Sequence, residues 1–563
     1  MSITNKLIII VLSVILVFAF AFYYYFPTLV NPLSTDIILT LLIFTFFSLL
    51  TYGSIKAETK VEIYLFLSII VICGILARSI PHLRFVHMSL WDPYYYSIPA
   101  LNIAQNGTLQ PILINWYSMV RIGLCWPMLS SNTVTLAQIT NININWFFQY
   151  QEPLLGAAYT LGIFLLAKEV TRNNKIALIS ALLATIAEDV VFYQSEYHPQ
   201  GLAFIFFAFF LWSYIKSINN SRGVYKCIAL IFLVGLLLSH DFSSIFISFL
   251  ALSIIIFSML VFVLPRTKLF NIIKQAGAIM RKDFIFLALI ALIGFAYHFF
   301  GYDALIQTFL IRLTETQSPS VVWTTAIKAP FLTVFLNYAK WGILLLASLT
   351  IIRIIRSPNE NEIRLLVLLS GILAAGLVGS FIAGAPLDRF IAFYVPEISM
   401  FAAMTIFSCF TYYGTRTFFK FPLVQIGIPL VIGILLSMQF FNAQIPAFYF
   451  KSSSINPYYW YSNDLSSLNL YGLTGQWIKN YTPKDAKYVG DWGDCMIPFY
   501  YAERPDQNVS LIKDSQTYPG SYIVLNPNVP SCQYEGQLDK EQFLETIDTV
   551  YSNGTIEVGK IPP

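Results

Sequence analysis

A chain of 563 residues that is 57% hydrophobic and only 11% charged has too little polar surface to enclose itself in water, since soluble domains carry roughly 25% charged residues. Its mean hydropathy of +0.66 excludes a soluble globular enzyme, and its net charge of +4 gives no basis for nucleic-acid binding, so the chain reads as an all-α polytopic membrane protein. An aromatic share of 16%, with Tyr and Trp gathered near the ends of apolar runs, fits the belts that form at the two bilayer interfaces.

The first apolar run, 7–26, follows a single Lys6 and ends in Tyr23-Tyr24-Tyr25-Phe26-Pro27. It is longer than a signal-peptide core and offers a poor cleavage site, so it reads as a retained first span. Apolar windows long enough to cross a bilayer then predict about 13 spans, at 6–26, 36–55, 62–80, 151–168, 175–193, 200–216, 225–239, 242–264, 283–302, 331–353, 363–384, 389–413 and 421–442. Connections rich in Lys and Arg (Lys56/Lys60, Lys168/Arg172/Lys175, Lys216/Arg222/Lys226, Arg266 to Lys282, Arg353/Arg356/Arg364 and Arg416/Lys420) alternate with poorly basic ones and fall on the side of the N-terminus. The positive-inside rule therefore predicts a multi-pass plasma-membrane protein with a cytoplasmic N-terminus.

On this reading residues 1–60 are two N-terminal transmembrane helices. Residues 61–444 are the membrane core, with long outer connections at 81–150 and 303–330. Residues 445–563 form a small α/β domain outside the membrane, with strand-like runs at Lys487–Gly490 and Ser521–Asn526 and a predicted helix from Lys540 to Ser552. Cys495 and Cys532 lie in that domain and would pair in an oxidising compartment; the sequence leaves this open. Cys73, Cys227 and Cys409 read as buried apolar residues. Of the Asn-x-Ser/Thr sequons at Asn106, Asn219, Asn480, Asn508 and Asn553, all but Asn219 fall on the outer side.

Polar groups recur at the outer ends of spans. Asp92, in Trp91-Asp92-Pro93-Tyr94-Tyr95-Tyr96, is either a turn residue or a carboxylate able to act as a general base or hold a divalent cation. Glu188 and Asp189 close the fifth span, where ionisable groups are costly unless they work or snorkel. Glu196 and His198 follow in a short turn shaped by Pro199 and Gly201; Glu-x-His could ligate a metal together with Asp92, or be a solvated loop. His240 and Asp241 sit at a helix junction and could bind an anion. Glu315 belongs to the outer loop Thr314-Glu315-Thr316-Gln317-Ser318-Pro319 with Trp323 beyond it. Arg389 begins the twelfth span, either suited to a phosphate through its guanidinium fork or paired with Asp388. Asp491-Trp492-Gly493-Asp494 in the outer domain is a loop, or an aromatic platform with two acids. No Walker, Rossmann or Gly-x-Ser-x-Gly motif is present.

Taken together, Trp91 to Tyr95 followed by Ala100-Leu101-Asn102-Ile103-Ala104 and Gly107 resembles the first outer loop of the GT-C membrane glycosyltransferases. Asp92-Pro93-Tyr94, Ser195-Glu196 to Gly201, the Glu315 loop and Arg389 are similar to motifs of the oligosaccharyltransferase catalytic subunit in particular. The chain departs from that family at Asp491 to Cys495, where the family carries Trp-Trp-Asp-Tyr-Gly, and the Glu315 loop has an inserted residue. The resemblance implies a GT-C transferase that takes a sugar from a polyprenyl (dolichyl-type) phosphate to a protein or lipid acceptor outside the membrane. Catalysis would fall to Asp92, Glu196 and Glu315. Arg389 and His240 would hold the lipid phosphate, and Asp491, Trp492 and Asp494 the acceptor or sugar. A divalent ion, Mg or Mn, would sit at Asp92, Glu196 and His198 where the reaction uses one. Three other readings stand beside it: transfer of a glycan to Asn sequons, a lipid-linked-sugar transporter or flippase, and a non-catalytic glycan-binding membrane protein.

Overall fold

A computed structural model describes residues 3–25, 37–84, 91–107, 127–195, 197–220, 223–240, 251, 284–301, 331–356, 362, 373, 392–414, 423–449, 465–483, 486–490, 502, 509–510, 520–525, 548–552 and 557–561. These residues are mostly helical. The first three helices, α1 (Ile3–Tyr25), α2 (Ile37–Lys56) and α3 (Lys60–Arg84), match the first three predicted spans and pack together. The start of α3 follows from local chemistry. The Thr59 hydroxyl accepts from the Glu62 amide at 3.2 Å, and the Glu62 carboxylate accepts back from Thr59 and Glu58, the reciprocal pairing of a capping box. The other Glu62 oxygen accepts from Asn5 Nδ2 at 2.9 Å, which ties α1 to that cap.

The connection 81–150 contains two helices that hydropathy does not reveal, α4 (Trp91–Asn106) and α5 (Pro127–Thr140), which pack on each other. The fourth predicted span becomes α6 (Ile144–Thr171), which begins where the Asn143 side chain accepts from the Asn145 amide and ends on Arg172 in the left-handed region. Asn173 then caps α7 (Asn174–Ile186) through the amides of Lys175 and Ile176.

The predicted fifth span is two helices. The chain breaks at Ala187 and resumes as α8 (Glu188–Gln194), whose first turn carries Glu188 and Asp189, where the helix dipole favours acids. The membrane core continues with α9 (Pro199–Asn220), α10 (Gly223–Ser239), α11 (Phe284–Gly301), α12 (Phe331–Arg356), α13 (Val395–Gly414, preceded by a 3-10 turn at Ala392–Tyr394) and α14 (Leu423–Tyr449). The predicted spans 242–264 and 363–384 lie outside the described residues except for one helical position in each. Within the described residues, Lys60–Ile80, Ile144–Thr171, Pro199–Asn220 and Val395–Tyr412 are long and apolar enough to cross a membrane, and shorter apolar stretches accompany them in α1, α2, α7, α10 and α14. The core sits where α6, α7 and α9 meet α3, α10 and α13. Of the three cysteines expected inside, Cys73 is buried, but Cys227 is exposed on α10 and Cys409 partly so. Apolar helix surfaces turned away from the protein take such residues as readily as the core does.

Toward the C-terminus α15 (Leu465–Tyr481) precedes a five-stranded mixed sheet of β1 (Tyr488–Gly490), β2 (Val509–Ser510), β3 (Tyr522–Leu525), β4 (Asp548–Ser552) and β5 (Glu557–Lys560), in the order β2-β1-β3-β5-β4. β1 is parallel to β2 and β3, whereas β5 is antiparallel to β3 and β4. The two predicted strands are β1 and β3. The predicted helix Lys540–Ser552 is not borne out at its end: Asp548–Ser552 is strand β4, because Thr549, Val550 and Tyr551 are β-branched or aromatic and β5 follows closely enough to pair with them.

Candidate active site at the ends of α4, α9 and α10

Pro93 near the start of α4 suits a first helical turn, which has no use for its missing N–H. Asp92 stands in that turn, and Tyr96 one full turn later in the same row of the helix. The Tyr96 ring meets the imidazole of His198 edge-on at 4.8 Å. His198 lies between α8 and α9 and caps α9: its Nδ1 accepts from the Gln200 amide at 3.1 Å, so the neutral ring carries its proton on Nε2. Tyr193 packs against the same ring at 5.1 Å. His240, at the C-terminal end of α10, completes the group with its ring 6.3 Å from that of His198. Both imidazoles are buried, at 8% and 3% exposure, so neither belongs to a solvated loop. Three places that stand apart in the sequence, the Asp92 turn, His198 and His240, thus come together at one end of the bundle.

A second layer lies beneath. The Thr133 hydroxyl bonds both Gln151 Oε1 at 2.8 Å and the Tyr197 hydroxyl at 2.9 Å. Burial pushes the Tyr197 phenol well above its ordinary range; the Thr133 bond offsets part of this, and the charge of Glu152 adds to it. Glu152 is buried below the first turn of α9, and among the described residues neither of its carboxyl oxygens has a hydrogen-bond partner. Glu188 and Asp189 both pair with Lys340 of α12, at 3.7 and 2.6 Å.

Of the other residues singled out in the sequence, Glu196, Glu315, Arg389, Asp491, Trp492 and Asp494 lie outside the described residues, as does the side chain of Asp92. Among the described residues no three His, Cys, Asp or Glu side chains form a metal-holding group. With Nδ1 accepting the cap bond of α9 and Nε2 carrying the proton, His198 could ligate a cation only by giving up that cap. Sequence reasoning passed over Arg78, Glu152 and Glu397, all buried within helices that read as spans. The signal was present in each case as an ionisable residue inside an apolar window, which is functional by default.

No family model matches the chain, and no curated protein matches it in sequence. Solved structures do match in fold. The oligosaccharyltransferase of Archaeoglobus fulgidus, tethered to an acceptor peptide containing the NVT sequon, aligns with 81% of this chain and 68% of its own at 13% identity and a TM-score of 0.53. The archaeal oligosaccharyltransferase AglB from the same organism, in complex with an inhibitory peptide and a dolichol-phosphate, aligns with 78% of this chain and 64% of its own at 13% identity and a TM-score of 0.50. ArnT from Cupriavidus metallidurans bound to undecaprenyl phosphate aligns with 88% of this chain and 97% of its own at 10% identity and a TM-score of 0.50. At these identities the likeness is one of fold: the chain shares the fold of the archaeal oligosaccharyltransferase and of ArnT.

Proposed function

We propose that the chain is a membrane glycosyltransferase that moves a sugar from a polyprenyl phosphate to an acceptor outside the bilayer. The observation that carries this reading is the convergence of the Asp92 turn, His198 and His240 in a fold whose neighbours were solved with dolichol-phosphate and with undecaprenyl phosphate. The lipid donor would enter from the outer leaflet. His240, with Arg389 from the start of the twelfth span, would hold the phosphate and stabilise the charge that grows on it as the sugar leaves. Asp92 would take the proton of the acceptor nucleophile. A bond forms between that nucleophile and the anomeric carbon, the bond from that carbon to the phosphate oxygen breaks, and the polyprenyl phosphate departs. Attack opposite the phosphate inverts the anomeric centre. Glu196 would assist, Glu315 would close the site with its loop, and Asp491, Trp492 and Asp494 would bind the acceptor or the sugar. A divalent cation, Mg or Mn, would need Asp92 and Glu196 as its oxygen ligands, and His198 would join them only by releasing its cap bond to α9.

The extent of the match favours a compact transferase: the chain covers nearly all of ArnT but about two-thirds of the oligosaccharyltransferase. Transfer to Asn sequons is the second reading, supported by the Asp92-Pro93-Tyr94 and Glu315 motifs. The test is release of polyprenyl phosphate from a radiolabelled polyprenyl-phosphate sugar by the purified protein in vesicles, with sequon peptides, Ser/Thr peptides and lipid acceptors in parallel. Release that depends on one acceptor class supports the reading and names the acceptor. Movement of the intact donor across the bilayer without release would make the protein a transporter.

A further inference from the structure

We propose that Arg78 is a positioning residue for the turn that carries His198, acting through Gln194; the proposal rests on the transferase reading for its functional consequence. Arg78 is fully buried on α3, where a charge is costly and an apolar side chain would pack as well. Two of its three hydrogen bonds reach the segment that leads to the site, while Nη2 has no hydrogen-bond partner among the described residues. Nη1 donates to the carbonyl of Thr185 at 3.1 Å, just before the break that begins α8, and to Gly74 one turn back on its own helix at 2.9 Å. Nε donates to Gln194 Oε1, the last residue of α8, at 2.9 Å. One guanidinium therefore ties the last turn of α7 to the last residue of α8.

Gln194 passes the hold onward. Its Nε2 donates to the carbonyl of Gly201 at 3.2 Å, in the first turn of α9. The turn between Gln194 and Gly201 is thus closed by a single amide whose other face is fixed by Arg78, and His198 sits inside it with its ring set by the Gln200 amide, Tyr96 and Tyr193. Glycines keep the space open. A Cβ on Gly156 would come within 2.5 Å of Arg78 Cδ and Nε, and one on Gly201 within 2.6 Å of the Glu152 carboxyl. The hydrogen bonds and the missing side chains agree in one purpose, which is to hold His198 at a set height against the Asp92 helix and His240.

The experiment uses the full chain in nanodiscs and three variants, Gln194→Met, Gln194→Glu and Arg78→Lys. Gln194→Met removes both halves of the bridge. Gln194→Glu keeps the acceptor for Arg78 and removes the donor to Gly201, and Arg78→Lys keeps the charge without the fork. Two quantities are read: the rate of diethylpyrocarbonate modification of His198, followed by peptide mass spectrometry, and the affinity for undecaprenyl phosphate and dolichyl phosphate. The proposal expects His198 to react about tenfold faster in both Gln194 variants and lipid-phosphate affinity to fall about tenfold with it, the loss of roughly one buried hydrogen bond. Arg78→Lys should move both readouts in the same direction and keeps the test open if a Gln194 variant does not fold. Unchanged His198 reactivity in folded variants would overturn the proposal, and so would raised reactivity with unchanged lipid-phosphate affinity. If the wild-type chain binds neither lipid phosphate, the transferase reading fails by itself, while the reactivity comparison still decides whether Arg78 positions the turn.

Discussion

The imidazoles of His198 and His240 face each other at 6.3 Å, tilted by 38°, one at the start of α9 and the other at the end of α10. The two helices pack side by side, so their opposite ends meet here and present two nitrogen heterocycles to the same space. The residues do different work. His198 also caps α9, whereas the amide of His240 donates to the Leu236 carbonyl at 3.4 Å where α10 ends. His240→Ala is therefore expected to weaken lipid-phosphate binding about tenfold, or ~1.4 kcal/mol, and to lower the melting temperature less than loss of the α9 cap does. His198→Ala should weaken binding and also cost about 1 kcal/mol of stability through the lost cap. Lipid-phosphate titration and thermal melting on both variants separate the cases. Equal melting of the two would show that the cap contributes nothing.

Asp92→Asn keeps the backbone of the first turn of α4 and removes the carboxylate proposed as proton acceptor. Turnover should fall by about 100- to 10,000-fold, the range of general-base catalysis, with lipid-phosphate affinity held. The measurement is release of polyprenyl phosphate from a polyprenyl-phosphate sugar. Turnover within a few-fold of wild type would remove Asp92 from the reaction. The same assay after chelation divides the two roles open to this carboxylate: activity that survives EDTA belongs to a base, and activity lost and then restored by Mn or Mg belongs to a ligand.

The parts of the fold legible in the sequence are those set by short-range physics. Bilayer thickness sets the length of apolar runs, so α1, α2, α9 and α10 begin and end within a few residues of the predicted spans. Asn173 and Thr59 with Glu62 mark helix starts by chemistry contained in a few neighbouring residues. What escaped depends on partners far along the chain. Glu188 and Asp189 resemble the end of a span until Lys340 is brought against them. Arg78 vanishes into a hydropathy average because one charge hardly moves a window of apolar residues, and its role needs Gln194 and Thr185 beside it. The stretch at Asp548–Ser552 has too few residues to show a period, and only β5 makes it a strand. Asp92, His198 and His240 could each be singled out alone, but not the Tyr96 and Tyr193 rings that seat His198, because aromatic residues near span ends look like interface anchors.

Gly201→Ala tests how tightly the first turn of α9 is seated. The added Cβ would lie 2.6 Å from Glu152 Oε2 and 2.7 Å from the Tyr193 carbonyl oxygen. The carboxyl can swing aside, but the carbonyl belongs to the backbone of α8. The variant should lose about 1–3 kcal/mol of stability, as overpacked cores do, and adding Glu152→Ala should restore only part of it. Thermal melting of the single and double variants decides. Full restoration would place the whole clash on the carboxyl.

Lys340 links α12 to the start of α8, and the two acids it meets are not equivalent: Asp189 lies at 2.6 Å and Glu188 at 3.7 Å. All three side chains are partly exposed, so solvent screens the pair and the coupling belongs near the surface range. A double-mutant cycle with Lys340→Met and Asp189→Asn should give a coupling energy of about 1 kcal/mol, and the same cycle with Glu188→Gln clearly less. SDS-induced unfolding of the purified protein supplies the free energies. The order matters for the site, because α8 delivers Gln194 to Arg78 and Gly201; loosening its first turn at Asp189 should therefore also raise the diethylpyrocarbonate reactivity of His198. Equal coupling at both acids, or a cycle that closes at zero, would mean that Lys340 leaves the position of α8 to Arg78 alone.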